Sequence, residues 1–173
     1  MYTTEDLIND FEKFNLFVNS IEKVEVTLFF EPIAEGKWSI AEIVSHISFW
    51  DNYIREEMLP QMKANAAIES IDIETLNNQA ASYALSGVSH QHLLRKQLEE
   101  RTQLVSDLKK KNEEELFAAF SLNGEEVDEY SGYPHSVFSY IAAFIWHDNH
   151  HRQQIDSFLK EKGVELKVSE YKA

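Results

Sequence analysis

The chain has 173 residues, 43 % of them hydrophobic and 12 % aromatic, with a formal net charge of −14 and no cysteine. That length and apolar content suit one folded domain with a substantial core and exclude global disorder. The charge repels nucleic acid and anionic membranes, and the lack of thiols excludes disulfides, thiolate zinc sites and a cysteine nucleophile.

Three prolines and five glycines leave long unbroken runs, which favours helices. The opening Met1–Asp6 has neither a basic nor an apolar signal-peptide region. Charges also interrupt every apolar stretch, so a cytoplasmic protein without a membrane span is expected. A first helix is predicted after Thr4, with Leu7, Ile8, Phe11, Phe14, Leu16, Phe17 and Ile21 near a 3.6-residue period. Val24 to Phe30 reads as a loop or a frayed helix end. The second helix is the best marked. Ser39-Ile40-Ala41-Glu42 is a capping box, with Trp38 before it as a candidate hydrophobic staple. Ile40, Ile43, Val44, Ile47, Trp50 and Ile54 then form one face, running to about Leu59, before Pro60.

A long connection follows from about Ala64 to Val88, with some helix around Ile73 to Leu85. The third helix starts near Ser89, carries Leu93, Leu94, Leu98, Leu104, Val105 and Leu108, and ends in Lys109-Lys110-Lys111. Lysines there complement the helix dipole. In the mixed segment from Asn112 to Pro134, Leu116, Phe117 and Phe120 can anchor to the core, while Asn123-Gly124 and Ser131-Gly132 mark turns. The last helix is predicted from about Ser136 to Lys162-Gly163. Four apolar-striped segments without convincing strands predict an all-α antiparallel four-helix bundle with long connections. It is read as one domain over 1–173, its core from about 4 to 163 and its tail at 164–173.

His147 and His151 stand one helical turn apart in the stripe formed by Val137, Tyr140, Ile141, Phe144, Ile155, Phe158 and Leu159. Two imidazoles four residues apart point the same way, and neutral rings buried together need a metal or a polar network. His46 lies on the flank of the second helix's apolar face, so a third imidazole can look inward. Three such nitrogens make the donor set of an open divalent-metal site. Trp50, Asp148, His150 and Gln154 are the candidates to line the pocket or support the ligands from behind. Each also has a plainer reading. Asp148 and Asp51 are read chiefly as helix-surface charges, His150 as peripheral, and Gln154 as a pocket-lining or polar residue. Trp38, Trp50 and Trp146 are assigned first to the core or a dimer interface, with Trp50 nearest the metal pocket. His90 and His92 read as solvent-facing and His135 as a loop residue. The run His147-Asp148-Asn149-His150-His151 lacks the general-base glutamate of the zinc-protease pattern His-Glu-x-x-His, and no Glu-x-x-His suggests a di-iron centre. Walker A, dinucleotide and nucleophile-elbow motifs are also missing.

The run Gly36-Lys37-Trp38-Ser39-Ile40-Ala41-Glu42-Ile43-Val44-Ser45-His46 resembles the opening of the second helix in DinB/YfiT-like proteins. Trp146-His147-Asp148-Asn149-His150-His151-Arg152-Gln153-Gln154-Ile155 resembles their closing His-x-x-x-His helix. The resemblance implies a four-helix bundle, often a homodimer, with a divalent metal (zinc or nickel) held by His46, His147 and His151. The family name refers to induction by DNA damage and implies no nucleic-acid binding. Relatives include mycothiol-dependent isomerases, bacillithiol S-transferases and metal-dependent hydrolases of undefined substrate. The leading expectation is a metal-dependent thiol S-transferase acting on small electrophiles, because a cation among neutral imidazoles would hold a low-molecular-weight thiol in its nucleophilic form. A metal-dependent hydrolase and a non-catalytic stress-response binding bundle are the alternatives.

Overall fold

The computed structural model describes residues 1–167. Its principal helices follow the predicted order. Helices α1 (Thr4–Glu12) and α2 (Phe14–Ser20) are separated only at Lys13. A single turn, α3 (Val26–Phe29), occupies the segment read as loop or frayed end. Helix α4 (Ile40–Tyr53) opens on the Ser39–Glu42 capping box and continues into a π-helical turn, Ile54–Met58, that ends before Pro60. Proline lacks the N–H that a further turn would need.

Helix α5 (Ile73–Ala84) leans on the outer side of α4, where Ser45 Oγ donates to Ala80 O at 2.7 Å. Helix α6 (His90–Lys109) is followed by the short α7 (Glu113–Phe117), and α8 (Val137–Glu161) closes the bundle. Gly163, at φ 75°, takes the left-handed conformation that ends α8 without a Cβ penalty. Two strands of two residues, β1 (Ala67–Ile68) and β2 (Ser121–Leu122), pair in parallel and tie the two long connections together, a detail too short for periodicity to reveal. Phe117 departs from its expected anchoring role: it is 49 % exposed and stacks on Phe138 instead. Of the tail read at 164–173, only 164–167 fall within the described residues. Among the described residues no helix is long and apolar enough to cross a membrane.

The four-helix bundle is formed by α1–α2, α4, α6 and α8, and its interior divides into two apolar halves. One gathers Phe14, Phe17, Ile40, Ile47, Leu94, Ile155 and Phe158, among others. The other gathers Leu7, Phe11, Ile54, Met58, Leu104, Leu108, Val137 and Ile141. Between them, on three helices at once, the stripe turns polar: Asp51, Gln97, Arg101 and Asp148 are all buried there. The histidines stand beside this layer.

Candidate metal centre

Helix α4 presents His46 and α8 presents His147 and His151, and the three rings meet. His147 Nε2 lies 2.9 Å from His46 Nε2 and 3.1 Å from His151 Nε2. The ligand atoms of all three lie within 4.8 Å of one another, and no ion is present among them. Trp38 closes one side, its ring 4.9 Å from His46 and stacked 6.3 Å from His151. The loop before α4 makes this contact. Ile33 N donates to Trp38 O, and Gly36, at φ 69°, takes the backbone turn that returns the chain to the cap.

Burial pushes His46 down to about 3, with His147 and His151 adding to it and Asn77 partly opposing. His151 falls to about 4, again first by burial and then through His147, against the hydrogen bond it gives to Gln154. Both rings are therefore neutral at physiological pH and keep a lone pair for a cation. Gln154 Oε1 accepts from His151 Nδ1 at 2.8 Å, which places the proton of that ring on Nδ1 and bares Nε2. Each neutral ring carries one proton, so three converging nitrogens cannot all be satisfied by one another. A cation with metal–nitrogen bonds of about 2.0–2.1 Å spaces its ligands roughly 3.0–3.4 Å apart, close to the two separations at His147. The residues fit a divalent metal. His147 leaves the approach: its side chain is 31 % exposed, whereas His46 and His151 are buried.

Behind the rings lies an ion cluster. Arg101, fully buried, donates Nε to Asp51 Oδ2 at 2.8 Å and Nη2 to Asp51 Oδ1 at 3.0 Å. Its Nη1 donates to Asp148 Oδ2 at 2.8 Å and to Phe11 O at 2.9 Å, while its guanidinium covers the Phe11 ring at 3.8 Å. One side chain thus joins all four helices of the bundle. Burial raises Asp51 to about 6 despite the pull of Arg101.

The reading of Asp51 and Asp148 as surface charges is therefore corrected, because both are sequestered by Arg101. The signal was their register. Asp51 continues the Val44, Ile47, Ile54 stripe, Asp148 stands seven residues from both Ile141 and Ile155, and Arg101 falls between Leu94 and Leu108. Charges at such positions ask for a buried partner. Trp50 is corrected in part. It reaches the site through Phe144, 5.7 Å away, which packs 5.6 Å from His147, while its Nε1 donates to Asn77. Trp38, not Trp50, lies against the imidazoles.

Trp146 is not in the core; it is 72 % exposed and stacks on the exposed His150 at 5.8 Å. His92 is exposed and bonds Tyr83 Oη, as befits a surface residue, whereas His90 is partly buried against Phe29. His135 stacks on Phe120.

Against known proteins, the family model of the DinB superfamily matches residues 15–155. Among solved structures, the chain is similar to YfiT from Bacillus subtilis, described as a probable metal-dependent hydrolase with an unusual four-helix bundle topology. That likeness has a TM-score of 0.67 at 14 % identity and covers 94 % of this chain and 89 % of the other. A crystal structure of a Streptococcus pneumoniae protein is similar with a TM-score of 0.65 at 17 % identity, covering 92 % of each chain. At these identities the likeness carries the fold. No curated protein matches the chain.

Proposed function

Because the chain belongs to the DinB superfamily and three of its imidazoles converge on one point, we propose that it is a divalent-metal enzyme transferring a small-molecule thiol to an electrophile. His46, His147 and His151 hold the cation, zinc or nickel. When bound, that cation supplies acidification of a thiol or water that reaches it, and so a nucleophile near neutral pH.

The observation favouring a thiol over water is the state of the nearby carboxylates. Both oxygens of Asp51 are held by Arg101, and so is Oδ2 of Asp148. Oδ1 of Asp148 faces the Nδ1 edge of His147, away from the Nε2 triangle. Neither acid is placed to take a proton on the ligand side. A free thiol ionises near pH 8.5, so it needs far less help than water. The remaining residues bind and orient. Trp38 and Phe144 exclude water from two sides, Gln154 holds His151, and the partly exposed His147 marks where substrates arrive.

The experiment is metal analysis of untagged protein, followed by conjugation assays with bacillithiol-like thiols and chloro-aromatic or epoxide acceptors. Stoichiometric metal and conjugation that disappears in His147→Ala are expected. Metal-loaded protein inactive across the whole panel would overturn the transferase reading. Hydrolysis is the second reading, favoured by the description of YfiT. Ester or amide turnover lost in His147→Ala would select it. A homodimer belongs to the same proposal, with the exposed Trp146 as the contact candidate. Sedimentation of wild type against Trp146→Ala reads it, and a monomeric wild type would remove it.

A further inference from the structure

Two polar atoms of neighbouring residues are buried without a partner and stand 3.9 Å apart: His147 Nδ1 and Asp148 Oδ1. An orphaned buried donor or acceptor is rare and costly, and this pair is complementary. We propose that Asp148 is the positioning residue for His147, with Arg101 the clamp that aims it. This deepens the metal-centre reading and rests on it.

Asp148 cannot swing away, because its Oδ2 takes Arg101 Nη1 at 2.8 Å. Arg101 is immobilised in turn by the two bonds to Asp51, by Phe11 O and by the Phe11 ring. The carboxylate oxygen left over is thus fixed beside the one ligand ring that has solvent on its flank. A ring displacement of about 1 Å brings Nδ1–H onto Oδ1 at hydrogen-bond length. The proton stays on the ring throughout. Its location on Nδ1 leaves Nε2 with the lone pair aimed at His46 and His151. Gln154 performs the same service for His151 through its own Nδ1, at 2.8 Å. Carboxylate and carbonyl partners of this kind set the tautomer and orientation of ligating imidazoles. In addition, two carboxylates around one guanidinium leave a formal negative charge behind the three neutral ligands, which offsets part of a divalent cation's charge.

The test uses untagged full-length protein, with Zn²⁺ affinity from chelator competition and the Co²⁺ visible spectrum as readouts. Asp148→Asn should weaken Zn²⁺ binding about 10–100-fold and alter the Co²⁺ bands. Asp51→Asn weakens the same ion cluster from the α4 side but leaves Arg101 Nη1 on Asp148 Oδ2 and on Phe11 O, so Asp148 stays aimed at His147. It should destabilise the fold while costing far less affinity, which a merely structural role for Asp148 would not distinguish. ¹⁵N NMR of zinc-loaded wild type should place the His147 proton on Nδ1 in a hydrogen bond, and this decides the matter even where Asp148→Asn fails to fold. Unchanged affinity in folded Asp148→Asn, or a His147 proton on Nε2, overturns this inference alone. Wild type that takes up neither Zn²⁺ nor Co²⁺ overturns the metal-centre reading and this inference with it.

Discussion

His46 shows how much one buried ring can do to pH dependence. In the unfolded chain a histidine titrates near 6.5, whereas burial holds His46 near about 3 and His151 near about 4. Between those values the unfolded chain binds more protons than the folded one, so stability falls on acidification. Each ring contributes a slope of up to about 1.4 kcal/mol per pH unit. Asp51, raised by burial to about 6, and Asp156, also raised by burial, act with the opposite sign, whereas Asp10, lowered by its hydrogen bond from Lys13, acts with the two imidazoles. Metal-free wild type should therefore lose urea resistance from about pH 6.5 to about pH 4.5, and metal-free His46→Gln should lose less. Parallel curves for the two proteins would show that His46 is not held neutral by the fold.

At the level of elements, the ends are the best-determined features because their chemistry is local. Ser39 Oγ receives Glu42 N at 3.2 Å while Glu42 Oε2 receives Ser39 N at 2.8 Å, the reciprocal pair expected from four consecutive residues. Ser136 and Gly163 bracket α8 in the same way. Ser39→Ala should cost about 1 kcal/mol, read as a lower urea midpoint at unchanged slope. The cap also adjoins Trp38, so looser packing against His46 should shift Trp fluorescence in this variant. An unaltered midpoint would mean the cap is redundant with the core beneath it. The break at Lys13 and the π-turn at Ile54–Met58 were not legible, since both are adjustments of helix path to packing rather than to neighbouring side chains.

On the scale of the whole molecule, a polar layer between two apolar halves sets the helices against one another. Replacing Arg101 with Met strands two buried carboxylates and should destabilise the protein by about 3–5 kcal/mol, measured by urea denaturation near neutral pH. Replacing Asp51, Arg101 and Asp148 together with apolar residues of similar size should restore most of that loss, because no charge is then left unpaired. A triple variant as unstable as the single one would show that the cluster stabilises by more than mutual neutralisation. Arg101 also explains why four helices of modest length share one register: its donors reach α1, α4 and α8 from α6.

Helix order, the caps of α4, α6 and α8, the apolar stripes and the inward bias of His46, His147 and His151 are all consequences of spacing along the chain, where interactions reach only three or four residues. They are visible before folding. That Trp38 rather than Trp50 covers the rings depends on the loop before α4 folding back on His46 and on the distant His151. That His46 meets the pair on α8, and that Asp51 and Asp148 are bound to Arg101, depend on groups some 50 to 100 residues apart in sequence. Their register is written in the stripes, but their partners are not, because a charge on an apolar face states a need without naming what meets it. That choice is made when the helices pack and the cost of an unpaired buried charge selects one arrangement.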